Sequence, residues 1–376
     1  MSEKEYNDAL VKKIIAETLR VKSLMNKSYG ELASEIKKYN FKNPAKFSWS
    51  KETKLEGKIE MILGRMAFKM RSEIEAGVIR SWALASIKND ELVKKYLGPT
   101  DIDSDILESY LKTNTDALNA FIRRTDSNQY NLSKRVWELT RETKAQLKHH
   151  IASGIATGKS AAEVSRDVRG ILKEPNRLFR RVRDADGKLV LSKPARAYKP
   201  GAGVYRSSYK NALRLAATEM NIAYRSSDHL RRAQLPFVVG VKVNLSGRHN
   251  VYDICDYKKG TYPKGFRFVG WHPHCLCYTT SVLMKKDKFL KYLQTGKVDQ
   301  RLLVRKIPIK AERYVLSMKE KLEGRASKPY WLENYDKDFK LKSNIGIARN
   351  DVDLYKKIPV DKGIVNKKVT PFQKVS

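Results

Sequence analysis

Cysteine is scarce. The 376 residues carry only Cys255, Cys275 and Cys277, all within one short stretch. Three thiols cannot complete a set of bridges, and Cys275 and Cys277 stand too close for an ordinary bridge to each other, so a disulfide-built fold is excluded. An apolar leader is also lacking: the opening MSEKEYNDALVKKIIAETLR is charged throughout. No later run reaches the about 18 apolar residues expected of a membrane span. These absences predict a chain made and kept in a reducing cytoplasm. Acidic residues are in short supply too, with 41 Asp and Glu against 76 Lys and Arg, a net charge of +35. A compact protein repels itself at that charge unless a polyanion accompanies it. Nucleic acid is the first such partner to expect, because each phosphate neutralised releases a counterion. An anionic membrane surface is the second.

Strand signals are nearly missing before residue 185, where helical periodicity dominates. Leu10, Ile14, Ile15, Leu19 and Val21 recur at near-helical spacing in residues 1–38. Pro44 breaks that pattern. Ser50 then suits the N-cap of a helix over 51–76, whose apolar side holds Leu55, Ile59, Ile62, Leu63, Met66 and Met70. Further helices are predicted over 78–97, 104–122 and 131–155, with Gly98-Pro99 and Asp126-Ser127-Asn128 between them. Met61, Met66, Met70, Trp82 and Trp137 read as core fillers, and the adjacent His149 and His150 as solvent-facing. The segment GIATGKSAAEVSRDVRGIL, residues 154–172, has a superficial likeness to a phosphate loop. Only three residues separate Gly154 from Gly158, and no strand precedes them, so a nucleotide site is rejected. Ser160 and Glu163 predict a capping box there instead.

Residues 180–206 differ in character. Asp186-Gly187 predicts a two-residue hairpin turn between Arg183 and Leu189-Val190-Leu191. Arg177, Arg180, Arg181, Arg183, Lys188, Lys193, Arg196 and Lys199 make this a basic arm. It reads either as a phosphate-contacting arm or as a solvated loop. A helix over 207–233, a strand within PFVVGVKVNLSG (236–247) and a short strand in 279–284 follow.

Between the last two strands lies CDYKKGTYPKGFRFVGWHPHCLC, residues 255–277. Thiolate and imidazole donors gathered so closely are what a tetrahedral zinc site requires. Cys275-x-Cys277 offers two sulfurs in a tight turn and Cys255 a third. The fourth donor is a histidine: His272 fits best, because the His-Pro step can fold back onto the metal, with His249 or His274 as the alternative. Such a Cys3His set has no open position and is structural. Asp253 and Asp256 flank Cys255 and either support the ligands by hydrogen bonds or cap the turn.

These residues, in this order, suggest a family. A capped helix after a Gly-containing turn is followed by a helix carrying Ala216-Ala217-Thr218-Glu219, a strand, a DICDYKKG segment and a terminal His272-Pro273-His274-Cys275-Leu276-Cys277. The arrangement resembles the phage Mu F-like minor head proteins, also called head morphogenesis proteins, over about residues 146–283. Ala217 stands where that family usually has arginine, and Tyr257 and Lys258 where it often has a second cysteine. The resemblance implies a virion component inside the phage head. It is made in the host cytoplasm, set in several copies near the portal and major capsid proteins and against genomic DNA, away from membrane, and open to ejection with the genome. Such a protein is not an enzyme. The competing expectations are a zinc-dependent nuclease and a plain nucleic-acid-binding protein.

The fold class expected is mainly α with a small α+β module. Residues 1–145 form a helical N-terminal domain, 146–284 the module with its short sheet and Cys/His knuckle, and 285–376 a basic tail, helical and then extended.

Overall fold

The computed structural model describes residues 1–39, 49–98, 102–126, 129–156, 159–174, 181–191, 207–247, 249, 251–324 and 329–346. Within them the chain is mainly helical with a small three-stranded sheet, as the sequence predicts. Helix α1 runs Glu3–Lys37. It opens on a capping box in which Ser2 Oγ accepts from Glu5 N and Glu5 Oε2 accepts from Ser2 N. Helix α2 runs Thr53–Leu97 without interruption, about 70 Å at the α-helical rise. The break expected before residue 78 is absent. Gly77 lies inside the helix because a side chain there would collide with Met220, a Cβ coming within 2.6 Å of its Sδ. The glycine marks a close crossing of two helices, not an end.

Helices α3 (Ser104–Leu111) and α4 (Thr115–Arg123) replace the single helix expected over 104–122. The interruption is held from outside: Arg231 donates to Lys112 O, and Gln234 Nε2 donates to Asn114 Oδ1 at 2.9 Å. Helices α5 (Leu132–Ala156) and α6 (Ala161–Lys173) follow, and α6 carries the predicted Ser160–Glu163 capping box. Met66, Met70 and Trp82 are core residues as expected, but Met61 and Trp137 are exposed. His150 is buried, with Nε2 3.1 Å from Val164 O, so only its neighbour keeps partial exposure. Strands β1 (Arg181–Arg183) and β2 (Leu189–Leu191) form the expected hairpin. Its turn is longer than two residues. Asp184 N pairs with Lys188 O, Gly187 N donates to Asp184 O, and Gly187 has φ 73°, a three-residue loop closed by a left-handed glycine.

Helix α7 (Ser208–Gln234) is the axis of the fold. Its early residues Tyr209, Ala212 and Ala216 join Met25, Tyr29, Leu63, Met66, Ile151 and Val168 in one core. From Glu219 onward it buries polar side chains. Strand β3 (Val238–Asn244) then lies between β4 (Gly260–Pro263) and β5 (Tyr278–Leu283), antiparallel to both, with Val241 opposite Tyr262 and Ser281. A one-and-a-half-turn helix α8 (Ile254–Lys258) sits in the β3–β4 connection. Helices α9 (Lys286–Thr295), α10 (Ile309–Ser317) and α11 (Lys319–Glu323) follow the sheet.

Residues 329–346 are not the extended tail that their lysine content suggests. Trp331, Tyr335, Phe339 and Ile345 are buried together with Cys255, Phe266, Trp271 and Cys275. Arg267 N donates to Asn334 Oδ1 at 2.8 Å, and Asn334 Nδ2 returns the bond to Arg267 O at 2.9 Å. The ammonium end of Lys258 lies inside this contact, 3.5 Å from the Trp331 ring centre, 4.6 Å from Trp271 and 5.1 Å from Tyr335. Residues 347–376 lie outside the described residues.

Burial pushes the Lys258 pKa well below the ordinary lysine range, and its Nζ has no hydrogen-bond partner. Lys258→Met keeps the packing and removes an unsatisfied amine, so it is expected to stabilise by about 1–2 kcal/mol in urea unfolding. A loss of more than 1 kcal/mol would show that the amine contributes net stability through the rings.

Asp228 has no exposed surface and is paired with Lys88 and with Arg232 at 2.8 Å, while Asn89 Nδ2 and Thr279 Oγ1 donate to it at 2.8 and 3.0 Å. Burial raises its pKa, but the two cations outweigh burial and hold it at about 2 against an ordinary 3.8. The ionised form therefore contributes about 2 kcal/mol above pH 3.8, lost as pH falls towards 2. Asp228→Asn leaves two buried cations short of a partner and is expected to cost about 3–5 kcal/mol near pH 7. In unfolding titrations at stepped pH that gap should narrow by about 2 kcal/mol on acidification. A gap independent of pH would refute the assignment.

Candidate metal centre

The knuckle begins where α8 is capped. Asp253 Oδ1 accepts from Cys255 N at 2.7 Å, and Asp256 Oδ2 accepts from Asp253 N at 3.0 Å. This reciprocal cap turns Cys255 inward, where it is buried. The chain then makes β4, passes through the Phe266–Trp271 aromatic group and returns. Gly270, at φ 107°, has a conformation that disfavours any other residue, and a Cβ there would strike the Arg225 guanidinium. Cys275 N donates to His272 O at 3.1 Å, and His274 takes a left-handed conformation at φ 61° within that turn. The left-handed step leaves the His274 side chain exposed, outside the thiol cluster.

Three donor atoms converge: Cys255 Sγ lies 3.8 Å from Cys275 Sγ and 3.2 Å from His272 Nε2, and the donor atoms of all three residues fall within 4.8 Å of one another. His272 Nδ1 is 2.7 Å from Pro273 O. A carbonyl accepts only, so Nδ1 carries the proton and Nε2 offers its lone pair to the sulfurs. Hydrogen bonds donated by Cys255 and Cys277 pull the Cys275 pKa well below the ordinary thiol range, and nearby Arg225 lowers it further. The same bonds to Cys275 and Cys277, with burial, raise Cys255. Cys255 donates to Cys277, while Cys277 donates to Cys275 and is buried, and the balance holds Cys277 at about 12. A thiolate supported by two thiols and an imidazole is an arrangement in which a divalent ion replaces protons. The cluster of Cys255, His272 and Cys275 can therefore hold a metal ion.

His249 sits on the other side of Cys255. Its Nε2 is 2.7 Å from Asp256 Oδ2 and 3.9 Å from Asp253 Oδ1, while Asp253 Oδ2 is 3.4 Å from His272 Nε2. In the sequence His249 is an alternative to His272 as the fourth ligand. The geometry gives each histidine its own place.

Arg225 went unnoticed in the sequence. Its Nη2 donates to Cys275 O at 2.6 Å and to Cys277 O at 2.7 Å, and Asn221 Nδ2 adds a bond to Cys275 O at 3.2 Å. The guanidinium also lies 4.7 Å from the Phe268 ring centre. The available signal was an arginine among the small residues Ala223, Ser226 and Ser227, which point to different sides of the helix and are buried on all of them. Glu219, quoted above only as a motif letter, is buried between Arg124 at 2.8 Å and Arg135 at 2.9 Å.

Of the proposed basic arm, Lys188 is exposed at the hairpin turn, and Arg181 and Arg183 lie in β1. Arg177, Arg180, Lys193, Arg196 and Lys199 lie outside the described residues. No helix among the described residues is long and apolar enough to cross a membrane. The chain matches no protein-family model, no curated protein and no solved structure.

Cobalt(II) added to the metal-stripped protein is expected to produce the intense near-ultraviolet absorption of thiolate ligation. Cys275→Ser should weaken that binding by more than about 100-fold, since a ligand contributes at least as much as the groups that support it. A wild-type spectrum without sulfur ligation would show that the cluster is only a set of hydrogen-bonded thiols.

Proposed function

We propose that this chain is a minor capsid protein of a tailed bacteriophage, a head morphogenesis protein akin to the phage Mu F-like group, seated inside the head near the portal and the DNA. The observation that carries the reading is the joint between the two stretches on which the resemblance rests. Arg225 and Asn221, from the helix containing Ala216–Glu219, hold the carbonyls of Cys275 and Cys277 in the terminal HPHCLC segment. Motif letters that match by chance have no reason to be bonded to each other in space. The net charge of +35 supports the same place, because a protein packed against DNA needs a cationic surface.

In this reading the ion is zinc, the metal that thiolates and imidazole select, held by Cys255, His272 and Cys275; Cys277, the further ligand expected from the sequence, does not fall in that donor group at 4.8 Å. It joins the loop after β3 to the return before β5, and it does no chemistry of its own. The basic arm around Lys188 is a DNA contact.

Mass spectrometry of gradient-purified phage particles tests the assignment. The protein is expected in full particles in several copies, and depleted from particles that have emptied their DNA if it leaves with the genome. Recovery only from host DNA, never from particles, would sink the reading. Elemental analysis of the purified chain should return zinc, and less than about half an equivalent would remove the metal from the proposal. Chelation is expected to lower stability by about 3 kcal/mol when free zinc had stood near 100 times its Kd.

A further inference from the structure

We infer that a second divalent ion of the zinc class binds beside the first, on His249, Asp253 and Cys255, with the Cys255 thiolate shared between the two. This rests on the metal reading of the thiol cluster and extends it outward. His249, Asp253 and Cys255 bring one imidazole nitrogen, one carboxylate oxygen and one sulfur within 4.8 Å of one another. Asp256 Oδ2 stands behind them, 2.7 Å from His249 Nε2.

One ion does not serve both sets. A tetrahedral zinc keeps its donors within about 4 Å of each other, and His249 and Cys275 do not fall in a common group even at 4.8 Å. Cys255 belongs to both groups, and Asp253 faces both histidines, at 3.4 Å from His272 and 3.9 Å from His249. The donors thus run from sulfur-rich and buried at Cys275 to mixed and partly exposed at His249.

Charge points the same way. Two thiolates, Cys255 and Cys275, neutralise one divalent ion, and the Asp253 and Asp256 carboxylates beside it are left as an excess of negative charge. A second divalent ion offsets that excess, as a bound cation is the largest local charge in such a site. With only three protein donors and partial exposure, the outer ion keeps a position for water or an anion such as phosphate.

Metal-stripped full-length protein titrated with cadmium, followed by bound metal after gel filtration and by cadmium NMR, tests the inference. Wild type is expected to hold two equivalents and give two resonances, the sulfur-rich one further downfield. His249→Gln, which can still hydrogen-bond to Asp256, and Asp253→Asn, which can still cap α8, should each lose one equivalent and the upfield resonance only. Circular dichroism and retention of the sulfur-rich resonance show that the variants fold. One equivalent in wild type, abolished by Cys275→Ser and unchanged by His249→Gln, overturns the second site and leaves the first standing. No bound cadmium in wild type overturns both.

Discussion

The carboxylate of Asp228 has no access to water, and a charge so placed must be met on every side or it does not form. Lys88 from α2, Arg232 from the next turn of its own helix, Asn89 and Thr279 meet it. Lys88 in turn reaches Glu3 at 3.1 Å, and Glu3 accepts from Ser281 N at 2.7 Å in the edge strand β5. One buried anion therefore fixes the start of α1, the C-terminal part of α2, the end of α7 and the edge of the sheet relative to one another. This network adds to the packing a demand for one register, because any other leaves a buried charge unpaired. The helical half and the sheet half of the chain are locked through α7.

The metal centre inherits its shape from that lock. Arg225 is one turn before Asp228 and is aimed by the same burial of α7. From there it holds both carbonyls of the Cys-x-Cys turn. The thiols converge because the two segments that carry them are placed independently. The α8 capping box sets Cys255, and Arg225 with the Gly270 turn sets Cys275 and Cys277. The contact of residues 329–346 with Trp271 and Lys258 closes the apolar side of the same knuckle.

What the sequence made legible follows from range. Ser160–Glu163, the hairpin around Gly187, the β-branched run of β3 and the clustering of Cys255, His272 and Cys275 are set by neighbours in the chain, and local chemistry predicts them. What it hid is decided by partners far away. Residues 51–76 and 78–97 read as two helices until Met220 is placed against Gly77, inside one continuous helix. Lys112–Asn114 reads as helix until Arg231 and Gln234 take its backbone and side chain. His150 reads as exposed until Val164 O is placed beside its ring. Trp331 and Tyr335 are inconspicuous among lysines until the knuckle offers them an apolar face. Arg225 and Asp228, on which the site depends, are ordinary charged letters in a helix. Only the pairing of distant residues identifies them as interior.

Among the described residues the buried basic side chains are Lys88, Arg225, Arg231, Arg232 and Lys258, and the buried acidic ones are Glu17, Glu219 and Asp228. The interior is thus close to balanced, with Arg231 also drawing on Asp90 at the rim. The excess behind the net charge of +35 lies at the surface or in residues not described, and is not used to build the fold. Surface ion pairs such as Lys58–Glu35 and Arg65–Glu31 offset part of it at little gain in stability. Acidic residues are too few to offset the rest. Folding gains nothing from this surplus, since like charges on a compact body oppose compactness. A surplus that opposes the fold is the charge that an external polyanion would offset, and in the function proposed above that polyanion is DNA.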